Sequence, residues 1–255
     1  MNEATTTLTR TGSVTTSVLA YRKTATITIA GQGLDQSLNV ANAGCLTITE
    51  LPGASATQRV FSCKMIRPGT VAMSITAADG SSLYAGTMTI PLPAQPQVTM
   101  VTSLGTMVFE LDPAKAPISV DNFLQYTETG FYSNKIFHRV IPTFVIQGGG
   151  FTADFQVGAT LPPIKLEVGT GLSNLRGTLA MARTSVLDSA TSQFFINVVD
   201  NVALDTASGG YAVFGKVVQG LDVMDKIKAV PTSVQAGAPD VPVTAVIINS
   251  ATQTQ

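Results

Sequence analysis

The chain has 255 residues, 45% of them hydrophobic, a formal net charge of -1 and a pI near 5.8. That suffices for one large or two ordinary domains, each with its own core. No apolar stretch reaches the roughly 18 residues a membrane-crossing helix needs, and the near-neutral balance offers no electrostatic footprint for nucleic acid or an anionic membrane.

Met1 to Arg10 is polar and Thr-rich, without the apolar stretch of a secretion signal. A leader removed before the numbering begins and a cytoplasmic protein are both open. Five runs then alternate at period two: Ala25, Ile27 and Ile29; Leu46 and Ile48; Phe61, Cys63 and Met65; Val71, Met73 and Ile75; Met88 and Ile90. Turn signals separate them at Gly31 to Gly33, Pro52-Gly53, Pro68-Gly69 and Asp79-Gly80. A small antiparallel β-sandwich is expected, similar in this coarse sense to bacterial immunoglobulin-like modules. Cys45 and Cys63 have no CxxC neighbour and no metal-spaced histidine, which leaves a disulfide or two buried thiols. A disulfide would fit the expected periplasmic, cell-surface or secreted location.

Three prolines within Pro91 to Gln97 read as a semi-rigid linker, which puts the domain boundary there: residues 1–95 and 96–255. Ten of the eleven phenylalanines follow it, so the two halves need different cores. Val98 to Leu111 reads as a hairpin turning at Gly105. A helix is expected from Pro117, with Val120, Phe123 and Leu124 on one face and Gly130 as its stop. A second runs from Leu221 to Lys228, with Leu221, Met224 and Ile227 on one face. Two separated helices among many strands argue for a mainly β protein whose second half is a closed antiparallel barrel with helices over its ends.

Phe137 to Phe151 is the most unusual stretch. It sets Arg139, always charged and with five donors, and Gln147 among residues that otherwise suit a core. With Gly177-Thr178-Leu179-Ala180-Met181-Ala182-Arg183, Ser192-Gln193-Phe194-Phe195-Ile196 and Val213-Phe214-Gly215-Lys216-Val217 it forms four ordered motifs that resemble the cyclophilin signatures over roughly residues 98 to 250. The resemblance implies an eight-stranded β-barrel capped by two α-helices and peptidyl-prolyl cis-trans isomerase activity on X-Pro segments of unfolded or folded proteins, with no cofactor, no metal and a monomeric state. It implies Arg139 as the catalytic arginine, with Phe144 and Gln147 beside it. Phe144, Val145, Phe195 and Leu204 would wall the proline pocket, and Gln147, Ala182, Arg183 and Gln193 would line the adjoining groove. His138 matches a rim position, and Tyr211 stands where many eukaryotic members have His. Ala203 replaces an aromatic of the family, which implies weak cyclosporin binding.

The chemistry also follows from the residues. Rotation about an X-Pro bond faces a barrier of about 18 to 20 kcal/mol because amide resonance must be broken, yet no bond is made or cleaved. A donor aimed at the prolyl nitrogen stabilises the twisted state, whose lone pair is free, more than the planar one.

Other uses of these residues are weaker. His138, the only histidine, has no GxSxG partner for hydrolysis. Gly148 to Gly150 fits no phosphate-loop pattern and is expected to form a tight bend after a strand. Phe194 and Phe195 must face opposite ways on a strand, and Phe195 is assigned to the groove. Met181 is expected in the core, and Asp188 and Asp205 as loop-structuring carboxylates. The rival to an isomerase is a proline-segment-binding chaperone or scaffold targeted by the first domain.

Overall fold

The computed structural model describes residues 12–92 and 94–255, and the chain divides into two compact units, 1–93 and 94–255. The polar segment Met1 to Arg10 and Pro93 of the linker lie outside the described residues.

Among the described residues the first unit has seven strands: β1 (Ser13–Thr16), β2 (Thr24–Ala30), β3 (Leu38–Asn42), β4 (Cys45–Glu50), β5 (Gln58–Met65), β6 (Gly69–Ala77) and β7 (Ser82–Ile90). They form two antiparallel sheets, β1-β2-β5-β4 and β3-β6-β7. The alternation places Ala25, Ile27, Ile29, Phe61, Met65, Val71, Met73, Ile75, Met88 and Ile90 in one core. Leu46 departs from the expected pattern and is exposed. The β4–β5 register shifts between Cys45 and Ile48, so those two turn inward instead. Cys45 and Cys63 are joined as a disulfide between these neighbouring strands. Arg59, at a core-facing position of β5, is satisfied by the Glu50 carboxylate and donates to the carbonyls of Leu34 (2.7 Å) and Gln36 (2.6 Å).

The second unit contains β8 (Gln97–Thr102), β9 (Gly105–Leu111), α1 (Pro117–Glu128), β10 (Lys135–Val140), β11 (Val145–Thr152), β12 (Thr178–Met181), β13 (Phe194–Asn197), β14 (Val213–Gln219), α2 (Leu221–Lys228), a hairpin of β15 (Thr232–Gln235) and β16 (Ala238–Pro242), and β17 (Ile248–Gln253). Eight strands follow one another in the order β10-β11-β13-β12-β14-β9-β8-β17, each pair antiparallel. An Ile136–Ile247 bridge and a hydrogen bond from Phe137 N to the Val246 carbonyl (3.0 Å) nearly close the barrel.

The phenylalanine bias of this half is explained by its interior. Phe123 of α1 sits 5.5 Å from Phe194, 5.2 Å from Phe214 and 5.1 Å from Tyr132, ring centre to ring centre. The first turn of α1 has no side-chain cap from its own segment; the Glu167 carboxylate instead accepts from Ile118 N (3.0 Å) and Ser119 N (2.7 Å). On α2 the buried residues are Val223, Met224 and Ile227, while Leu221 is exposed, one turn short of the expected face.

Gly148 to Gly150 do not form a bend after a strand; they lie inside β11. Between Lys135–Thr152 and Phe137–Gly148 the register gains two residues on β11, and Gly149 absorbs this at φ +83°. A Cβ on Gly149 would sit 2.9 Å from the Tyr132 ring and 3.0 Å from Phe194.

Two outcomes test this architecture. Gly149→Ala should destabilise the second unit by about 2 kcal/mol or more from backbone strain and overpacking together, read as a lowered urea midpoint in tyrosine near-UV circular dichroism; an unchanged midpoint contradicts the packing described. Reduction of Cys45–Cys63 should lower the stability of the first unit by about 3 kcal/mol, seen as a thermal transition that shifts with reductant while that of the second unit stays.

Candidate active site

The site starts from pairing register. Arg139 on β10 lies opposite Gln147 on β11, Gln147 opposite Phe195 on β13, Phe195 opposite Ala180 on β12, and Ala180 opposite Val213 on β14. Directly paired residues share a face, so these five form one row across the outside of the barrel. Their neighbours Ile146, Leu179, Phe194, Ile196 and Phe214 fill the inside.

Phe137 and Arg139 are two apart and in a regular strand would share a face. They do not. Phe137 opposes Gly148 and Arg139 opposes Gln147, so β10 advances two residues while β11 advances one, and His138 is the extra residue of a β-bulge. Phe137 therefore enters the core, and Arg139 reaches the outer row.

Arg139, Gln147 and Phe195 of that row line a cavity of about 120 Å³. Its apolar wall is Phe144, Val145, Phe195 and Leu204, with Tyr211 edge-on to Phe195 at 5.8 Å. Its polar side holds Arg139, Gln147 and Arg183, with Ala182 between. Gln193 lies behind and accepts from Gln147 Nε2 through its Oε1 (2.9 Å), which fixes the amide.

The two arginines differ in what they are free to do. Arg183 donates to the carbonyls of Thr184 (2.9 Å), Ser208 (2.6 Å) and Gly210 (2.8 Å) and lies over the Tyr211 ring at 4.6 Å. It ties the loop bearing Tyr211 to its own strand end. The Arg139 guanidinium makes no hydrogen bond among the described residues; it rests over the Phe144 ring at 5.9 Å, and the residue lines the cavity.

His138 is not at this cavity. As the bulged residue it packs its ring against Phe151, 4.8 Å centre to centre. Burial pushes its pKa down to about 4; the Ile136 carbonyl opposes that shift, and the neighbouring Arg139 charge adds to it. Met181 and Phe194 are core. The Asp188 carboxylate accepts from Leu166 N at 2.9 Å.

Support for the site comes from residues the motifs did not single out. Asn201 Nδ2 donates to the Phe144 carbonyl (2.8 Å) and to Asn197 Oδ1 (2.8 Å); Asn197 Nδ2 donates to Asn174 Oδ1 (3.1 Å). Asn174 donates through its N and Nδ2 to Asp205 Oδ1, both at 2.8 Å, and Ser173 Oγ donates to the other oxygen of Asp205. Burial alone would raise the Asp205 pKa; the bonds from Ser173 and Asn174 outweigh it and hold the carboxyl below its usual value. Asn174 and Asn197 are fully buried, so this chain of amides joins the Phe144 turn to the 3-10 turn carrying Leu204 (Val202–Asp205) as a stiff unit.

The depressed His138 pKa has a thermodynamic consequence. Below about pH 6.5 the unfolded chain takes up a proton that the folded chain refuses until about pH 4. The unfolded state binds more protons in that window, so stability falls as pH drops through it. His138→Gln should flatten this part of the stability profile relative to the unsubstituted protein; identical profiles from pH 7 to pH 4 would show that the histidine is not buried as described.

The matching family model, described as cyclophilin type peptidyl-prolyl cis-trans isomerase/CLD, covers residues 97–253. Peptidyl-prolyl cis-trans isomerase A of Dickeya dadantii is 54% identical over 156 residues, which is 60% of this chain and 82% of that protein. Peptidyl-prolyl cis-trans isomerase B of Escherichia coli is 52% identical over 160 residues, 61% of this chain and 98% of that protein. Among solved structures, a cyclophilin type peptidyl-prolyl cis-trans isomerase of Cryptosporidium parvum, crystallised in the presence of the dipeptide Ala-Pro, aligns with a TM-score of 0.53 and 27% identity over 62% of this chain and 99% of that one.

Proposed function

The chain belongs to the cyclophilin-type peptidyl-prolyl cis-trans isomerases, and from that premise we propose how its own residues perform the reaction. It is an isomerase acting on X-Pro bonds, and relatives that are 52–56% identical carry the same name. The binding-only reading is not favoured.

The observation that carries the mechanism is the uncommitted guanidinium of Arg139 beside an apolar cavity. The proline ring enters between Phe144, Val145, Phe195 and Leu204, where water is displaced and the ring is held still. Gln147, itself fixed by Gln193, donates to a substrate carbonyl. Arg139 donates to the prolyl nitrogen once twisting has freed its lone pair. The low local dielectric strengthens that bond, and the planar ground state offers the nitrogen no comparable acceptor. An acceleration of about 10⁵-fold corresponds to about 7 kcal/mol of differential stabilisation. Arg183 acts differently, as a positioning residue that holds Tyr211 and the 208–210 backbone in place.

The natural substrates on this reading are exposed X-Pro segments of folding or folded polypeptides, bound by a monomer. Ala203, next in the chain to the cavity-lining Leu204, stands where family members carry an aromatic, which supports weak cyclosporin binding. The first unit reads as an immunoglobulin-like sandwich: lettered along the chain, its sheets run A-B-E-D and C-F-G, the order of constant-type immunoglobulin domains. Its role is to target the isomerase to other proteins. A disulfide in that unit supports a periplasmic or cell-surface location.

Arg139→Ala should lower kcat/KM on a proline tetrapeptide by about 100-fold or more while weakening peptide binding far less, measured by a protease-coupled assay and by NMR titration. Unchanged turnover would refute the mechanism.

A further inference from the structure

The loop from Arg183, which lines the cavity, to Ser189 puts two large apolar side chains into solvent: Val186 is 63% exposed and Leu187 49%. Single exposed apolar residues need no explanation, but an adjacent pair on an ordered loop beside a binding cavity does. The loop is held by its own bonds. Thr184 N donates to Ser189 Oγ (3.0 Å), Ser189 Oγ donates to the Val186 carbonyl (2.6 Å), and Val186 N donates to Thr184 Oγ1 (3.2 Å). Asp188, anchored on Leu166 N, pins the far side. The pair is thus presented in a fixed geometry, with little ordering left to lose on binding.

Its position ties it to the cavity. A Cβ on Gly209 would fall 2.6 Å from Leu187 Cδ2 and 3.9 Å from Arg183 Nη2. Leu187 therefore lies on bare Gly209 backbone next to the guanidinium that lines the cavity, and the φ of +90° at Gly209 keeps a side chain from filling the space. Leu187 thus adjoins the proline cavity through Arg183, which lines it, and that adjacency names the occupant: a neighbouring side chain of the same bound polypeptide.

We propose that Val186 and Leu187 form a specificity subsite that takes an apolar side chain of the same substrate chain, flanking the X-Pro pair on the side of Arg183. A charged side chain there would sit against apolar groups without a partner and near the Arg183 cation, so lysine is disfavoured most. This rests on the isomerase reading, and its test separates the two.

Two tetrapeptide-based series, with Leu, Ala or Lys two positions before or two positions after the proline, are assayed for kcat/KM and, with Arg139→Ala protein, for Kd by NMR. Leu should exceed Lys by about fivefold or more in one series, in turnover and in the affinity of the Arg139→Ala protein alike. The double variant Val186→Thr/Leu187→Lys should bring that ratio to about one or below, and Leu187→Ile should restore it, which excludes a folding defect as the cause. Equal Leu and Lys values in both series, or a ratio unchanged by the double variant, would overturn the subsite. Absence of turnover on every peptide would overturn the isomerase mechanism instead, while the Kd ratios would still decide the subsite.

Discussion

One extra residue in β10 decides where the chemistry of this protein sits. Without the bulge at His138, Arg139 would share a face with Phe137, and either a guanidinium would enter an aromatic core or a phenylalanine would leave it. Neither arrangement is affordable, because burying an unpaired cation costs far more than the local loss of ladder pairing. The bulge resolves the conflict by changing the parity of the strand once. From Gln147 through Phe195 to Ala180 the pairing is regular antiparallel register, and a further shift between Leu179 and Ala180 brings Val213 of β14 into the same row, so one outward arginine becomes the polar end of an otherwise largely apolar face. The bulged histidine is left half inside, and its low pKa follows from that position rather than from any part in proton transfer.

A row of side chains on a sheet becomes a site only when something closes over it. Here three segments without regular strands do so: the Phe144 turn, the 183–189 loop and the 202–211 stretch. None has an apolar interior of its own. They are held by polar bonds instead, through the Asn201–Asn197–Asn174–Asp205 chain on one side and Arg183 with its three carbonyls on the other. Preorganisation of this kind suits a reaction with no covalent step, since the protein's only contribution is to hold groups where the twisted amide will need them. It also explains why two arginines six ångströms or less from aromatic rings play opposite parts. One has spent its donors on the scaffold, and the other has kept them.

Period-two alternation was enough to locate β2, β5, β6 and β7, because each buries one face continuously. It misplaced Leu46, since a bulge in β4 breaks the parity on which the reading depends. The same blindness applies at β10 and β11: Gly148 to Gly150 look like a turn when only composition is read, whereas their use is to let one strand carry more residues than its partner. The cavity residues were legible because four motifs in order identify them together. Asn174, Asn197 and Asn201 were not, because buried or half-buried amides satisfied by partners 4 to 57 positions away leave no local pattern.

The two units solve the problem of a core by different means, and this bears on how they respond to their surroundings. The barrel is filled by interlocked rings, Phe109, Phe123, Tyr132, Phe194 and Phe214, with α1 supplying the central one. The sandwich has only Phe61 of that type in its buried core and depends on Ile, Met, a disulfide and an ion pair that joins the buried Arg59 to the exposed Glu50. Removing Glu50 leaves the buried Arg59 guanidinium without its carboxylate, and opening a disulfide enlarges the unfolded ensemble, so both devices make the small unit sensitive to single changes. The barrel's core is sensitive instead at Gly149, where a Cβ would press on Tyr132 and Phe194. The parity change at His138 is a sensitive point of another kind, because it places Arg139 on the outer row and so governs activity. Reducing conditions and mutation of β4 or β5 should therefore act on the first unit, while the cavity depends on β10, β11 and the amide chain behind Phe144.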